Sequence, residues 1–397
     1  MTPLMTRRRG GLGVRRPHVV IAGSGVAALE TALSLRALAA DRLRLTMITP
    51  DAEFAYRPMG VREPFALAGA RRYPLREIAA DLGLELRRDR LTAVDPGSCT
   101  IRTRSGALVL YDRLVLAIGP LRAHGCANAL TLDDHRLGRQ LADLRIGIER
   151  GEVESIAFIA PRGVTWPLPI YELALLTAEY ADGLGIDVTI TVATPEAAPL
   201  ERFGPEAAAA VRGMLGRSAI TLHTSAHCHV DEVGRLRFRP RAGAMCVDLI
   251  AAMPLLWGPS IPGIPAGPGG FVAVDGTCHV RGLDGVFAAG DMTDLPVKHG
   301  GLAGQQGDLA AEAIVAELEG GSPPPARPLV LEAILLGGGG SLRLRGVLDG
   351  ETARCAVSHE PPGVPRDKLI TRRLTPYLRS LDGSSHRLSL PRPTAVS

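Results

Sequence analysis

Gly23, Gly25 and Ala28 punctuate the run Val19-Val20-Ile21-Ala22-Gly23-Ser24-Gly25-Val26-Ala27-Ala28-Leu29-Glu30, and the chemistry open to that spacing is the cradling of a pyrophosphate. Gly23 permits a tight turn, Gly25 lets backbone approach phosphates with no Cβ between, and Ala28 allows close packing of a helix on a strand. A helix N-terminus placed there adds unpaired N–H groups and a partial positive charge. The elements that must position these residues stand around them: an apolar strand before, an alanine-rich helix to about Ala40 after, and a second strand from Leu43 to Thr49. That second strand should end in an acid for an adenosine ribose. Thr49 takes the place and Asp51 follows, so either Asp51 reaches the hydroxyls or Thr49 makes a weaker neutral contact.

Two further motifs follow in order. Gly282-Leu283-Asp284-Gly285-Val286-Phe287-Ala288-Ala289-Gly290-Asp291 is a short apolar strand ending in Gly-Asp, and a helical stretch from about Gly300 to Glu317 comes after it. It resembles the second FAD fingerprint of two-dinucleotide-domain flavoproteins, in which the Asp binds the ribityl-phosphate part of the cofactor. Tyr111 to Pro120 resembles the strand at which those chains cross between domains, with Ile118 in place of the usual Thr. The loop Glu53-Phe54-Ala55-Tyr56-Arg57-Pro58 resembles the one that lies against the flavin in sulfide:quinone reductases and type II NADH dehydrogenases. The chain is thereby identified as a member of the FAD-dependent pyridine nucleotide-disulfide oxidoreductase superfamily, most like that group over residues 17 to 380. The resemblance implies FAD, with cofactor contacts at Gly23, Gly25, Ala28, Thr49, Asp51, Arg57, Pro58, Leu91, Ala117, Gly119, Gly290, Asp291, Lys298 and Gly301.

The fold it implies is α/β: two Rossmann-like dinucleotide-binding domains of glutathione-reductase type with a small C-terminal α+β region. Residues 1–16 form a basic arm, 17–123 and 270–320 the FAD domain, 124–269 the second domain, 321–382 the C-terminal region and 383–397 a tail. In the second domain the strand Ile156 to Ala160 should open onto another glycine fingerprint if NADH bound in the usual way. Instead the chain reads Pro161-Arg162-Gly163-Val164-Thr165-Trp166-Pro167-Leu168-Pro169, from which a phosphate cradle is hard to build. Sulfide:quinone reductases have a similarly altered segment carrying a redox cysteine, and Trp166 stands about where it would be. Trp166 either shapes a pocket or plugs the domain interface.

Catalytic candidates lie in Pro296-Val297-Lys298-His299-Gly300-Gly301-Leu302-Ala303-Gly304-Gln305-Gln306. By the resemblance, a helix begins there with its N-terminus toward the flavin pyrimidine edge, where positive charge stabilises the reduced anion and Lys298 would reinforce it. Gln305-Gln306 resembles the glutamine pair bordering the quinone pocket of type II NADH dehydrogenases. His299 is placed to deliver a proton, since imidazole titrates near neutrality.

Composition excludes other classes. The chain has 397 residues, 46% hydrophobic and 22% charged, which suits two packed domains with no general disorder. No apolar run is long enough for a transmembrane helix, and the arginine-bearing start has no signal-peptide core, so a cytoplasmic protein is expected; the basic amphipathic segment at Arg366 to Leu381 is either a peripheral membrane contact, as the resemblance to sulfide:quinone reductases and type II NADH dehydrogenases implies, or a docking helix with a solvated face. The net charge of +4 is almost wholly arginine against acids, since Lys298 and Lys368 are the only lysines; nucleic-acid binding is not expected. Six cysteines lack a C-x-x-C pair, which argues against a dithiol reductase; Cys126 and Cys355 are the two whose meeting in space would matter. Strands are expected at Asp187–Val192, Thr221–His223 and His227–Val230, and His223, His227 and His229 have no ligand partners at metal spacing, so no metal is expected. After the proline-rich stretch 322–328, Leu329–Leu336 and Ser341–Leu348 flank four glycines as a hairpin.

The function so implied is an FAD-dependent oxidoreductase passing electrons from a small donor to a quinone or similar acceptor. The alternatives are an NAD(P)H-dependent flavin reductase or dehydrogenase, and an FAD-binding redox sensor or interaction protein without turnover.

Overall fold

Val19, Val20, Ile21 and Ala22 are wholly buried because their strand has a neighbour on each side and a layer on each face, the environment that makes a parallel strand read as a continuous apolar run. The computed structural model describes residues 15–56, 65, 71–132, 137–239, 243–360 and 367–388. Its helices are α1 (Val26–Ala39), α2 (Leu75–Asp81), α3 (Leu137–Glu149), α4 (Leu168–Leu184), α5 (Pro205–Arg217), α6 (Gly300–Leu318) and α7 (Leu374–Leu388).

The first sheet is parallel, in the order Val286–Ala288, Arg113–Leu116, His18–Ala22, Arg44–Thr49, Glu85–Arg88. Val19 and Ile21 face a core shared with α1, α6 and α7, while Val20 and Ala22 face an antiparallel layer of Leu91–Asp95, Thr100–Thr103 and Leu108–Leu110. The second sheet repeats the plan: Leu130–Thr131, Leu249–Ala252, Ser155–Ile159, Thr189–Ala193, Thr221–His223, all parallel. Ile156 and Phe158 pack under α3 and α4, and Ala157 and Ile159 under the antiparallel strands beginning at His227 and Leu236. This is the expected two-sheet α/β architecture.

The hairpin after the proline stretch is present as Val330–Leu336 against Ser341–Asp349, with a third strand, Thr352–Glu360, completing a sheet that packs on α4 and α5. The C-terminal helix begins later than expected, at Leu374, because the Glu30 carboxylate accepts the Arg373 and Leu374 N–H groups at 2.7 Å each and so fixes its start. It also runs through the expected boundary at 383 to Leu388. No described helix is long and apolar enough to cross a membrane.

Candidate cofactor site

Three strands of the first sheet end side by side, and their loops are the three sequence motifs. Gly23 N–H donates to Ile48 O at 2.8 Å, Ala117 N–H to Ala22 O at 2.8 Å and Ala289 N–H to Leu116 O at 2.9 Å. The loops at 23–25, 117–119 and 289–291 thus share the carboxyl edge of the sheet, where open α/β sheets take ligands. Gly23 has φ +119°, and a Cβ there would lie 2.1 Å from Ala117 O, so only glycine fits. Gly25 caps α1 with no side-chain hydrogen bond, and both Gly25 and Gly119 face open space, with no atom within 4 Å of where a Cβ would stand. An uncapped helix start opening onto empty space without side chains is what a pyrophosphate requires, and the residues present fit FAD.

Around this edge the side chains divide the work. Ala28 is fully buried where α1 meets its strand. Thr49 is turned inward, its Oγ1 donating to Ser24 Oγ at 2.9 Å, and Ser24 Oγ in turn donates to Asp51 Oδ2 at 2.8 Å. Of the two ribose candidates, the exposed Asp51 therefore offers the free carboxylate oxygen, tied by Ser24 to the glycine loop. Gly290 N–H donates to Gln306 Oε1 at 2.8 Å, and Gln306 Nε2 reaches Thr293 Oγ1 at 3.2 Å, so one amide clamps the Gly-Asp loop that carries Asp291. Leu91 packs against the core between the first sheet and the antiparallel layer. Arg57 and Pro58 lie outside the described residues; Tyr56 before them is buried, its oxygen accepting Leu369 N–H at 2.9 Å beneath the Arg71 guanidinium.

The three catalytic candidates receive different surroundings. Lys298 is buried, its Nζ 2.5 Å from Thr293 O and 3.9 Å from the centre of the Phe271 ring; burial pushes it down to about 8 against the pull of Asp291 and Asp294. His299 caps α6, its Nδ1 accepting Gly301 N–H at 3.2 Å. Burial, then the Lys368 charge, push His299 down to about 4, so it is neutral at neutral pH and the expected near-neutral titration is not met. Gln305 is engaged with the backbone of Val330, giving a hydrogen bond of 2.7 Å and accepting one of 2.8 Å, so its amide knits α6 to the C-terminal sheet and does not stand free.

Trp166 and residues that the sequence left unmarked complete the surroundings. Trp166 meets His299 at 4.7 Å and the edge of Phe203 at 5.3 Å, which makes it a plug between the second domain and the start of α6. Beside it, Glu172 of α4 is wholly buried and pairs with the buried Lys368. Both lysines of the chain are thus buried, Lys368 with its charge felt at His299, and their rarity among so many arginines was the available signal. In the second domain Glu196 follows the strand Thr189–Ala193, where a Rossmann fold keeps its ribose acid. It is folded inward instead: Tyr171 O–H donates to Oε2 at 2.6 Å, and burial holds its pKa up while Tyr171 and Thr194 oppose.

Among the described residues the cysteines and histidines do not converge as a catalytic set. Cys355 lies in the core under the C-terminal sheet, whereas Cys126 packs beside Cys228 in a separate small core. His227 and His229 are exposed on one face of their strand, His223 lies against Phe238, and no group of metal-binding side chains occurs among the described residues.

No protein-family model matches the chain. It is 29% identical over 170 residues to the sulfide-quinone reductase of Aquifex aeolicus (strain VF5), a stretch covering 40% of this chain and 38% of that relative. The structure superposes on that of the sulfide:quinone oxidoreductase from Aquifex aeolicus with a TM-score of 0.79 and 19% identity, over 94% of this chain and 91% of the other. The comparison with solved structures shows that the chain shares the fold of this sulfide:quinone oxidoreductase over nearly its whole length. Other solved structures of similar fold are the reduced CoADR-RHD of Bacillus anthracis, with a TM-score of 0.63, 14% identity and coverage of 85% of this chain and 62% of that one, and an NAD-dependent persulfide reductase from A. fulgidus, at 0.60, 18%, 84% and 64%. The two sheet ends differ: Gly25 and Gly119 at the first face open space, whereas beyond Ser155–Ile159 of the second the Trp166 ring packs on His299.

Proposed function

We propose that this chain binds FAD and acts as an oxidoreductase, taking electrons from a small donor other than NAD(P)H and passing them to a quinone or similar acceptor. The asymmetry between the two sheets carries the reading. The first ends in an open cradle; at the second, Trp166 packs on His299 and Phe203, Pro169 removes an N–H from the first turn of α4, and Glu196 is held on Tyr171. The likeness to the Aquifex sulfide-quinone reductase supports a quinone as acceptor.

When bound, FAD supplies reversible two-electron chemistry. The chain's own groups would bind and tune it: Gly23, Gly25 and the α1 N-terminus at the pyrophosphate, Asp51 at the ribose, and Gln306 fixing the loop that presents Asp291. Lys298 sets a cation, with a pKa of about 8, beside Asp291. His299, neutral with Nδ1 accepting, carries its proton on Nε2. A quinone acceptor would bring the working protein to a membrane surface, through groups other than Leu374 and Leu378, which are buried in the core.

Anaerobic addition of NADH, NADPH and sulfide in turn, followed by flavin absorbance near ~450 nm, tests the reading through the cofactor's own reporter. Sulfide or another small donor should bleach the flavin and a quinone should restore it. Bleaching by a pyridine nucleotide would overturn the assignment of the donor. A flavin that no donor reduces would leave binding without turnover.

A further inference from the structure

A cavity of about 750 Å³ lies at the opposite edge of the first sheet, where the strands begin: His18, Arg44, Glu85 and Asp112 line it. The nucleotide loops lie at the other ends of the same strands, so this is a separate site. Its volume is that of a small-molecule pocket. Five arginines line it against three acids. Arg36 is engaged with the carbonyls of Leu82, Ala40, Leu43 and Gly83. Arg15 pairs with Asp112, and Glu85 is shared by Arg44 at 2.9 Å and Arg87 at 2.7 Å. Arg16 is exposed and has no ion-pair partner among the described residues.

The local potential is therefore positive. Burial works against the Glu85 carboxylate, yet Arg44 and Arg87 outweigh it and hold it down at about 2. Burial and Arg44 keep His18 below its ordinary value, and its Nε2 bonds Thr46 Oγ1 at 2.8 Å. On the other rim stand two of the most exposed large apolar side chains described, Leu108 at 64% and Leu110 at 65%. Guanidinium groups match phosphate oxygens in a planar fork, and exposed leucines beside them match an apolar body.

We propose that this cavity is a second binding site for a phosphorylated ligand with an apolar portion, either a nucleotide or the headgroup region of an acidic phospholipid. Arg16 and Arg87 meet the phosphate, and Leu108 and Leu110 the apolar part. The test uses the full-length, flavin-loaded protein, titrated calorimetrically with ADP and sedimented with vesicles of phosphatidylglycerol in phosphatidylcholine or of phosphatidylcholine alone. Saturable ADP binding identifies a free nucleotide; selective sedimentation with the acidic vesicles identifies a lipid headgroup. Either should weaken roughly tenfold in Arg16→Glu, by the loss of a charged contact, and weaken with salt. Arg87→Gln, tested separately, should weaken it less, and flavin content should stay at the wild-type level in both. Binding of neither probe, or binding that both substitutions leave intact, would overturn the proposal.

Discussion

Lys368 Nζ donates to Glu172 Oε2 across 2.6 Å, joining residues 196 positions apart. Their side chains are 8% and 0% exposed, and Glu172 also accepts Leu336 N–H at 2.9 Å, so α4, the C-terminal sheet and the segment before α7 meet on one carboxylate. Removing one partner strands a buried charge and costs about 3–5 kcal/mol, whereas replacing both is close to neutral. Lys368→Met alone should lower the unfolding free energy by that amount, and adding Glu172→Gln should restore much of it. Denaturant unfolding of the single and double variants measures this; a double variant as weak as the single would dismiss the pair.

His299 makes stability depend on pH in a known direction. In the unfolded chain the imidazole takes its proton near 6.5, but in the folded protein only near 4. Between those values the unfolded state binds more protons, so this contribution is fully present above 6.5 and is lost as pH falls toward 4. Its ceiling is about 3 kcal/mol. His299→Asn keeps an acceptor for the α6 cap and removes the titration. Urea unfolding across that window should show a shallower pH dependence in the variant than in the wild type; parallel curves would mean that His299 titrates normally.

The strand–glycine turn–helix at 18–39 was legible because its signals are local: glycines, the strand before them and the helix after them fix the turn without help from distant residues. Strand ends at Arg44, Ser155 and Thr189 fall within one or two residues of expectation. What the sequence concealed depends on partners far along the chain. Gln305 and Gln306 are adjacent in sequence, but helical geometry sends one to Val330 and the other to Gly290, and nothing in the pair says which. His299 was read at its solution pKa because burial and Lys368 arrive only with the fold. The start of α7 was displaced for the same reason, since its cap is a carboxylate on α1.

Gly23 and Gly25 should fail differently. A methyl at Gly23 would lie 2.1 Å from a backbone carbonyl, at φ +119°, so Gly23→Ala should cost several kcal/mol and abolish soluble expression. A methyl at Gly25 meets no atom within 4 Å, so Gly25→Ala should keep its thermal midpoint as apoprotein yet lose most bound flavin. The ratio of flavin to protein absorbance in purified material, beside a melting curve, separates the two. Flavin retained in full by Gly25→Ala would place the pyrophosphate elsewhere.

Glu30 governs whether α7 stays docked. Its carboxylate receives two backbone N–H groups at 2.7 Å, while Leu369, Leu374 and Leu378 pack into the core behind it. Glu30→Ala leaves those donors buried without an acceptor, at a cost of about 1–3 kcal/mol for each. The loss falls on α7 first, because its other ties to α2 and to the strand Arg71–Pro74 are partly exposed pairs, Tyr377 with Asp81 and Asp382 with Tyr73. Limited proteolysis should therefore cut the variant within α7 at a protease concentration that leaves the wild type whole, while the flavin stays bound. The freed helix carries its leucines into solvent, so the variant should also gain binding to lipid vesicles that the wild-type helix, with this face covered, does not show. Cleavage at equal rates in both proteins would mean that the core leucines, and not the carboxylate, hold the helix in place.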